Sequence, residues 1–252
     1  MEHIAVELVL DVGNTRMKLG LFQQGRLIHR AFATHGGRAE VLQFLGAHRP
    51  AHIAVGSVAK IDGSFHAFLE HIAPVMQILP GTPSPVVTRY ATPDTLGVDR
   101  MANAVGAALL FPERPALVID LGTCITYDLV DALAVHQGGA ISPGMTMRAK
   151  AMHAYSAALP EVMPPENPPF PGLDTPQCLS AGMHFGICSE MRGIIADLAQ
   201  QHPGLVVVLT GGDAPRFVKA LKSGIFAHPT LTLIGLHGIL HHHSRYGTAF
   251  SS

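Results

Sequence analysis

The chain has 252 residues, of which 48% are hydrophobic and 14% are charged, and its formal net charge is -1. This composition excludes a disordered chain, and a near-neutral charge without a run of lysine or arginine gives no reason to expect nucleic acid or an anionic membrane as a partner. The length is enough for one large domain or two small ones. The low charged fraction favours a surface that is partly covered by a second copy of the chain.

The three cysteines, Cys124, Cys178 and Cys188, are an odd number without CxxC spacing. This argues against a disulfide framework or a zinc site and favours a reducing compartment. The start of the sequence lacks the basic region of a signal peptide, and no apolar run approaches the roughly 20 residues of a membrane helix. We therefore expect a cytoplasmic protein.

The first motif lies between two predicted strands and consists of Asp11, Val12, Gly13, Asn14, Thr15, Arg16, Met17 and Lys18. An apolar strand over 5–10 precedes it, and alternation of apolar and charged residues from Met17 predicts a second strand. Backbone N–H groups around Gly13 can cradle an anion, and Asp11 can anchor a metal ion or its waters. Taken alone, the segment is also compatible with a plain hairpin that has a polar turn.

The rest of the first half predicts an α/β layer unit. Strands are expected over 27–33, 51–58 and 75–79, and helices over 39–45 and 64–71. The proline-rich segment 80–85 places a lobe boundary near residue 85.

The next motif, Gly97-Val98-Asp99-Arg100, precedes a predicted helix of small residues over 101–110. An acid near a helix N-terminus is stabilised by the helix dipole. Asp99 is therefore interpreted either as a helix-start carboxylate paired with Arg100 or as a general base held by that arginine. A single GxDR motif does not decide between the two.

The second half repeats the first. A strand from 116 ends in Asp120-Leu121-Gly122-Thr123, and Asp120 lies 109 residues after Asp11. An alternating strand to 130, an apolar segment over 133–135 and the glycine-rich segment 138–144 follow. A unit of this size seen twice predicts duplicated lobes whose two carboxylates and two glycine turns converge on one cleft. The repetition favours the phosphate-cradle interpretation of both turns over the plain hairpin.

The last part of the chain is predicted to be mainly helical. Helices are expected over 145–157, from an N-cap at Thr175 towards 198, and over 231–240, with a proline-rich loop or lid over 160–176. After a strand over 205–209, the glycines of 210–213 either leave room for a flat ligand such as a nucleobase or form a tight turn. The three histidines 241–243 point in different directions on a helix, which favours a solvated tail over a metal site.

Five motifs in order resemble those of the type III pantothenate kinases. They are Asp-x-Gly-Asn-Thr-x-x-Lys at 11–18, Gly-x-Asp-Arg at 97–100, Asp-x-Gly-Thr at 120–123, Gly-Gly-x-Ile-x-Pro-Gly at 138–144 and Thr-Gly-Gly-Asp at 210–213. Each motif is weak alone, but five in order are specific. The sequence departs from the family in having Cys124-Ile125-Thr126 where Ala-Thr-Thr is frequent, which concerns the packing of that turn.

The resemblance implies an α/β protein of the actin and sugar kinase superfamily (the actin-like ATPase fold). Its two duplicated ribonuclease H-like lobes, with a cleft between them, would here be 1–85 and 86–252. The implied activity is ATP-dependent phosphorylation of pantothenate to 4′-phosphopantothenate, the first step of coenzyme A biosynthesis, by a homodimer. The alternatives are a kinase for another small acceptor and a non-catalytic regulatory protein on the same fold.

The resemblance also implies roles for individual residues. Residues 11–18 and Thr123 would bind ATP, with Asp11 near Mg²⁺, and Asp120 would bind a monovalent cation, K⁺ or NH₄⁺. Asp99 would be the general base for the pantothenate hydroxyl. Pantothenate itself would be held by Tyr90, Gly97, Val98, Asp99, Arg100 and Thr175.

Overall fold

The computed structural model describes residues 5–13, 17–34, 36–57, 61–221 and 225–246. In chain order its elements are β1 (Val6–Val12), β2 (Met17–Gln23), β3 (Arg26–Ala33), α1 (Arg38–Leu45), β4 (Pro50–Ser57), α2 (Gly63–Glu70), β5 (Val75–Ile78), β6 (Val87–Thr88), α3 (Val98–Leu110), β7 (Ala116–Leu121), β8 (Cys124–Val130), β9 (Val135–Pro143), α4 (Met145–Ala154), α5 (Thr175–Gln201), β10 (Val206–Thr210), α6 (Ala214–Val218), β11 (Ile225–Ala227) and α7 (Leu231–Tyr246). A 3₁₀ turn at Pro93–Thr95 precedes α3. Among the described residues, no helix combines the length and the apolar character that a membrane span needs.

The chain divides into two compact units. The first unit covers 1–112, 134–137 and 230–252, and the second covers 113–133 and 138–229. This division assigns 86–112 and the C-terminal helix to the first unit, whereas the sequence predicted a lobe boundary near residue 85. Compact units and duplicated lobes are different divisions of the chain, and the lobe division 1–85 and 86–252 stays a prediction.

The first unit is built on a five-stranded sheet in the order β3-β2-β1-β4-β5. The central strand β1 pairs antiparallel with β2 and parallel with β4, and β4 pairs parallel with β5. Leu8 and Leu10 on β1 are fully buried in the core of this unit, as expected for a central strand with an apolar run.

Close helix packing explains the small residues predicted in α3. A Cβ atom at Gly235 of α7 would lie 1.7 Å from the carbonyl oxygen of Ala102, and one at Gly106 of α3 would lie 2.7 Å from that of Leu231. The two helices of the first unit therefore approach each other through glycine. The helix α7 continues to Tyr246, so 241–243 belong to the helix and do not form a tail after it, while His243 is exposed to solvent as predicted.

The second unit repeats the strand arrangement of the first. Its sheet runs in the order β11-β10-β7-β8-β9, and β7 pairs antiparallel with β8 and parallel with β10, as β1 does with β2 and β4. The strand β11 extends this sheet in parallel, as β5 does in the first unit. The short strand β6 pairs with Val135 and His136 at the start of β9, which belong to the first unit. The duplication predicted from the two Asp-x-Gly motifs is confirmed.

Two boundaries differ from the sequence prediction for physical reasons. The strand β9 continues through Gly138 and Gly139 to Pro143. At Gly139 it passes so close to β8 that a Cβ would lie 1.6 Å from the carbonyl oxygen of Tyr127. Only glycine permits this approach, so here the glycine belongs to the strand and does not end it. The N-cap of α5 is Asp174, whose carboxylate accepts a hydrogen bond from the Gln177 N–H at 2.8 Å. Thr175 is therefore the first residue of the helix and not its cap.

Candidate active site

The first Asp-x-Gly motif ends the central strand of the first unit. Asp11 is in register with Lys18 on β2, and their carboxylate oxygen and ammonium nitrogen are 2.8 Å apart. This pair places a carboxylate and a cation at the end of the β1–β2 hairpin, as the phosphate-loop interpretation needs. Val12 and Met17 are buried in the core, so only their backbone is available to a ligand.

Asn14, Thr15 and Arg16 lie outside the described residues. Their predicted contacts with ATP, like that of the half-buried Gly13, stay predictions.

Apart from Thr175, the residues predicted to hold pantothenate cluster at the start of α3 in the first unit. Gly97 is the N-cap of α3, and a Cβ there would lie 2.6 Å from Oδ1 of Asp99. The same Oδ1 accepts a hydrogen bond from the Arg100 backbone N–H at 2.9 Å. The Arg100 guanidinium carbon lies 5.5 Å from the centre of the Tyr90 ring, within the range of a cation–π interaction. Val98 and Arg100 are buried, so this arrangement is fixed by packing.

Both interpretations of Asp99 receive a structural basis from this geometry. A hydrogen bond from a backbone N–H in the first turn of a helix is typical of a carboxylate that stabilises the helix start, which is the first interpretation. This hydrogen bond uses Oδ1 of Asp99. The residue is half-buried and therefore still in contact with solvent. A carboxylate oriented by one backbone donor and next to a buried arginine is also suited to accept a proton from a bound hydroxyl.

His136, which the sequence did not predict as a site residue, is fully buried and supports Tyr90. His136 Nδ1 lies 2.9 Å from Thr88 Oγ1, and that hydroxyl accepts a hydrogen bond from the Tyr90 N–H at 3.0 Å. The His136 and Tyr90 rings are 6.4 Å apart between centres. No sequence pattern links residues 88 and 136, because their contact depends on the two-residue strand β6.

Three glycine motifs come together around Asp120 in the second unit. The Gly144 N–H donates to the Thr123 carbonyl at 3.0 Å, and the Asp213 N–H donates to the Leu121 carbonyl at 2.9 Å. A Cβ at Gly211 would lie 2.5 Å from Asp120 Oδ1, and Gly211 has a φ of +93°, which glycine tolerates best. The motifs at 120–123, 138–144 and 210–213 are thus one structural cluster.

Two further oxygen-bearing side chains, Thr210 and Asp213, lie near Asp120. Thr210 is in register with Asp120 across β10 and β7, and its hydroxyl is buried without a hydrogen-bond partner among the described residues. Burial raises the pKa of the nearby Asp213 carboxyl, while the positive charge of Arg216 acts in the opposite direction. Thr123 is exposed beside this cluster.

A second missed feature is the polar network around Glu190 on α5. The Glu190 carboxylate accepts hydrogen bonds from the Tyr127 hydroxyl at 2.7 Å, from the Ser142 hydroxyl at 3.0 Å and from the Arg148 guanidinium. Burial opposes ionisation of Glu190, but these three hydrogen bonds outweigh it and lower its pKa. Burial raises the pKa of Tyr127 above its ordinary value, and the hydrogen bond to Glu190 adds to this effect. The network connects β8, β9, α4 and α5 of the second unit.

The predicted site residues are distributed over both units. Asp11, Lys18, Tyr90 and 97–100 belong to the first unit, and Asp120, Thr123 and Thr175 belong to the second. Thr175 is exposed at the start of α5. The convergence of the two Asp-x-Gly turns on one cleft stays a prediction.

The duplicated sheets, each with an aspartate at or near the end of its central strand, define the class of the protein. The chain has the actin-like ATPase fold that sugar kinases share. It is similar to a Baf family protein from Campylobacter jejuni, with a TM-score of 0.61, 20% identity and coverage of 94% of this chain and 99% of that one. It is also similar to the activator of the 2-hydroxyisocaproyl-CoA dehydratase from Clostridium difficile, solved with bound ADPNP, with a TM-score of 0.56, 12% identity and coverage of 98% of each chain. At these identities the likeness shows the fold alone.

Sequence comparison defines the family. Residues 7–197 match the family model of the type III pantothenate kinases. The chain is 38% identical over 240 residues to the type III pantothenate kinase of Bacteroides fragilis, covering 95% of this chain and 99% of that protein. It is 40% identical over 237 residues to that of Cytophaga hutchinsonii, covering 94% and 99%. The chain belongs to the type III pantothenate kinase family, as the order of its motifs predicted.

Proposed function

We propose that this chain transfers the γ-phosphoryl group of ATP to the hydroxyl of pantothenate, forming 4′-phosphopantothenate in the first step of coenzyme A biosynthesis. The single observation that carries the proposal is the arrangement of Tyr90, Asp99 and Arg100 at the start of α3, in a chain of this family. It places a candidate base, a cation and an aromatic ring together where the resemblance puts the acceptor.

The residues predicted to bind ATP position the phosphates and neutralise their charge, since phosphoryl transfer needs little covalent chemistry from the protein. Lys18 supplies a cation next to Asp11, and backbone N–H groups near Gly13 supply further donors. A kinase of this kind works with a divalent metal ion, and the carboxylate oxygens of Asp11 are ligands of the type that Mg²⁺ prefers. When bound, Mg²⁺ would neutralise charge on the phosphate oxygens.

On the acceptor side, Asp99 receives the proton of the pantothenate hydroxyl as the new P–O bond forms. One of its oxygens is held by the Arg100 N–H, so the carboxylate is oriented before substrate binds. A carboxylate placed beside the acceptor hydroxyl is suited to take its proton. The Arg100 guanidinium, buried against Tyr90, is the group of this cluster best suited to the negative charge of pantothenate. Thr175 would add a hydroxyl contact.

The oxygen-rich cluster at Asp120 fits a monovalent cation such as K⁺ or NH₄⁺. The ligands offered are the Asp120 carboxylate, backbone carbonyls of the 120–123 turn and the Thr210 hydroxyl, which has no hydrogen-bond partner within the described part of the chain. Oxygen atoms of this kind replace the hydration shell of K⁺. Gly211 keeps the space beside Asp120 free of a side chain. Held next to Thr123, which is predicted to bind ATP, the cation would add positive charge near the nucleotide.

We also propose that the protein is a cytoplasmic homodimer. Four large apolar side chains of the second unit are highly exposed, Tyr155 at 93%, Leu173 at 86%, Leu133 at 84% and Phe170 at 76%. Exposed apolar groups of this size are typical of surfaces that pair with another protein. A second copy of the chain would remove them from water.

The experiment that tests the activity is a panel of acceptors in an assay that couples ADP release to NADH oxidation. The panel contains pantothenate, small hydroxy acids and sugars, and the product is identified by mass spectrometry. We expect turnover with pantothenate that exceeds the other acceptors by at least about 100-fold, because a site built for specific polar groups strongly rejects compounds that lack them. Preferred turnover of a sugar would indicate the other-acceptor alternative. Nucleotide binding without turnover of any acceptor would indicate the regulatory one.

A further inference from the structure

Three metal-binding side chains meet on the first unit, in a cluster formed by Glu7, His237 and His241. Glu7 is on the central strand β1, and the two histidines lie four residues apart on α7. Residues at this spacing share one face of a helix. Both histidines direct Nε2 towards the same carboxylate oxygen of Glu7, His237 at 2.7 Å and His241 at 3.3 Å.

These distances are close to those between the ligands of a zinc ion. With Zn–N and Zn–O distances of about 2.0–2.2 Å, two ligand atoms of a tetrahedral site are separated by about 3.4 Å. In this cluster the three potential ligand atoms all lie within 4.8 Å of one another. Small side-chain rotations therefore suffice to place them around one ion, with no movement of β1 or α7.

The cluster is supported on one side and accessible on the other. The His237 ring is stacked on Phe22, with 4.0 Å between centres and 7° between planes, and its side chain is 8% exposed, whereas that of His241 is 45% exposed. The cluster therefore combines a histidine held in place by ring stacking with one that is open to solvent, through which an ion can enter.

We propose that Glu7, His237 and His241 form a binding site for a divalent transition-metal ion of the Zn²⁺ type, with the remaining coordination position open to water. Two imidazoles and one carboxylate are a donor set that suits zinc and cobalt, whereas Mg²⁺ prefers oxygen ligands alone. The site is separate from the oxygen donors assigned to ATP and the monovalent cation. It would join the C-terminal helix to the strand that carries Asp11.

The test is a titration of the untagged full-length protein with Zn²⁺ in competition with a chromophoric chelator. The control is His243→Gln, since His243 is an exposed histidine on the same helix outside the cluster. We expect one ion bound per chain in the wild type and in the control, and an affinity at least about tenfold lower in His241→Gln. His241 is the better position to change because its exposure makes misfolding less of a concern than at His237.

Two outcomes would overturn the proposal. One is a wild-type chain that binds no Zn²⁺ in competition with the chelator, which would leave the cluster as an ion pair only. The other is an affinity in His241→Gln equal to that of His243→Gln. Co²⁺ provides an independent readout, because the proposed ligands predict the visible absorption of a tetrahedral site in the wild type and its loss in His241→Gln.

Discussion

The replacement Gly144→Ala tests whether the glycine motif at 138–144 supports the Asp120 turn. Gly144 has a φ of −73° and a ψ of 177°, which alanine adopts without strain. Any effect of the replacement must therefore come from the space that the new methyl group needs. A Cβ at this position would lie 2.2 Å from the carbonyl oxygen of Gly122 and 2.6 Å from that of Thr123.

The size of the effect follows from these distances. Ordinary contact begins near 3.4 Å, so the Gly122 carbonyl and residue 144 must separate by about 1.2 Å. This movement stretches the hydrogen bond from the Gly144 N–H to the Thr123 carbonyl, now 3.0 Å. Overpacking of this kind costs about 1–3 kcal/mol and a weakened hydrogen bond about 1 kcal/mol. For a chain of this size we expect Tm to fall by roughly 5–10 °C.

The assay is thermal unfolding followed by circular dichroism, with kinase activity measured on the same preparations. The matched control is Gly193→Ala, an exposed position within α5 where an added Cβ meets no atom within 4 Å. Alanine there should be neutral or stabilise the helix by about 0.5–1 kcal/mol. Gly144→Ala should also lose activity, because Thr123 and Asp120 move with the turn. A Tm equal to that of Gly193→Ala would refute the packing argument.

Two further predictions concern charged groups of the second unit. Asp120→Ala should weaken activation by K⁺, measured as the K⁺ concentration for half-maximal turnover, and an unchanged K⁺ dependence would contradict the cation assignment. The pKa of Glu190 is lowered from its ordinary 4.5 in the folded protein. Its ionised form therefore stabilises the fold above pH 4.5, and this contribution is lost as the pH falls through the folded-state pKa. The Tm advantage of the wild type over Glu190→Gln should therefore be constant near neutral pH and shrink below about pH 4.5; an advantage that is the same at all pH values would argue against the hydrogen-bond network as its source.

The repeated features of the fold could be predicted from the sequence because they depend on local patterns. Alternating side chains after Met17 and after Cys124 predicted the second strand of each hairpin, and the Asp-x-Gly motifs predicted the duplication. The motif order predicted the family, which the comparisons confirmed. The grouping of Tyr90 with 97–100 came from the resemblance, and the Tyr90–Arg100 contact supports it.

The features that the sequence did not predict depend on contacts between distant residues. Glu190 is a partner of Tyr127 and Ser142, and His136 is a partner of Thr88, at separations of 48 residues or more. The interpretation of 241–243 considered adjacent histidines only, and so did not connect His241 with a histidine one helical turn earlier. The pair that meets Glu7 is His237 and His241, one helical turn apart.

The measurement that tests the central claim most directly is the kcat for pantothenate phosphorylation by Asp99→Asn. Asparagine keeps the size of the side chain and can still accept the hydrogen bond from the Arg100 N–H, but it cannot take the proton of the acceptor hydroxyl. We expect kcat to fall by about 10²–10⁴-fold, with unchanged Tm and retained ATP binding, while Asp94→Asn, an exposed aspartate five residues earlier, keeps wild-type kcat. Near-wild-type kcat in Asp99→Asn would contradict the account.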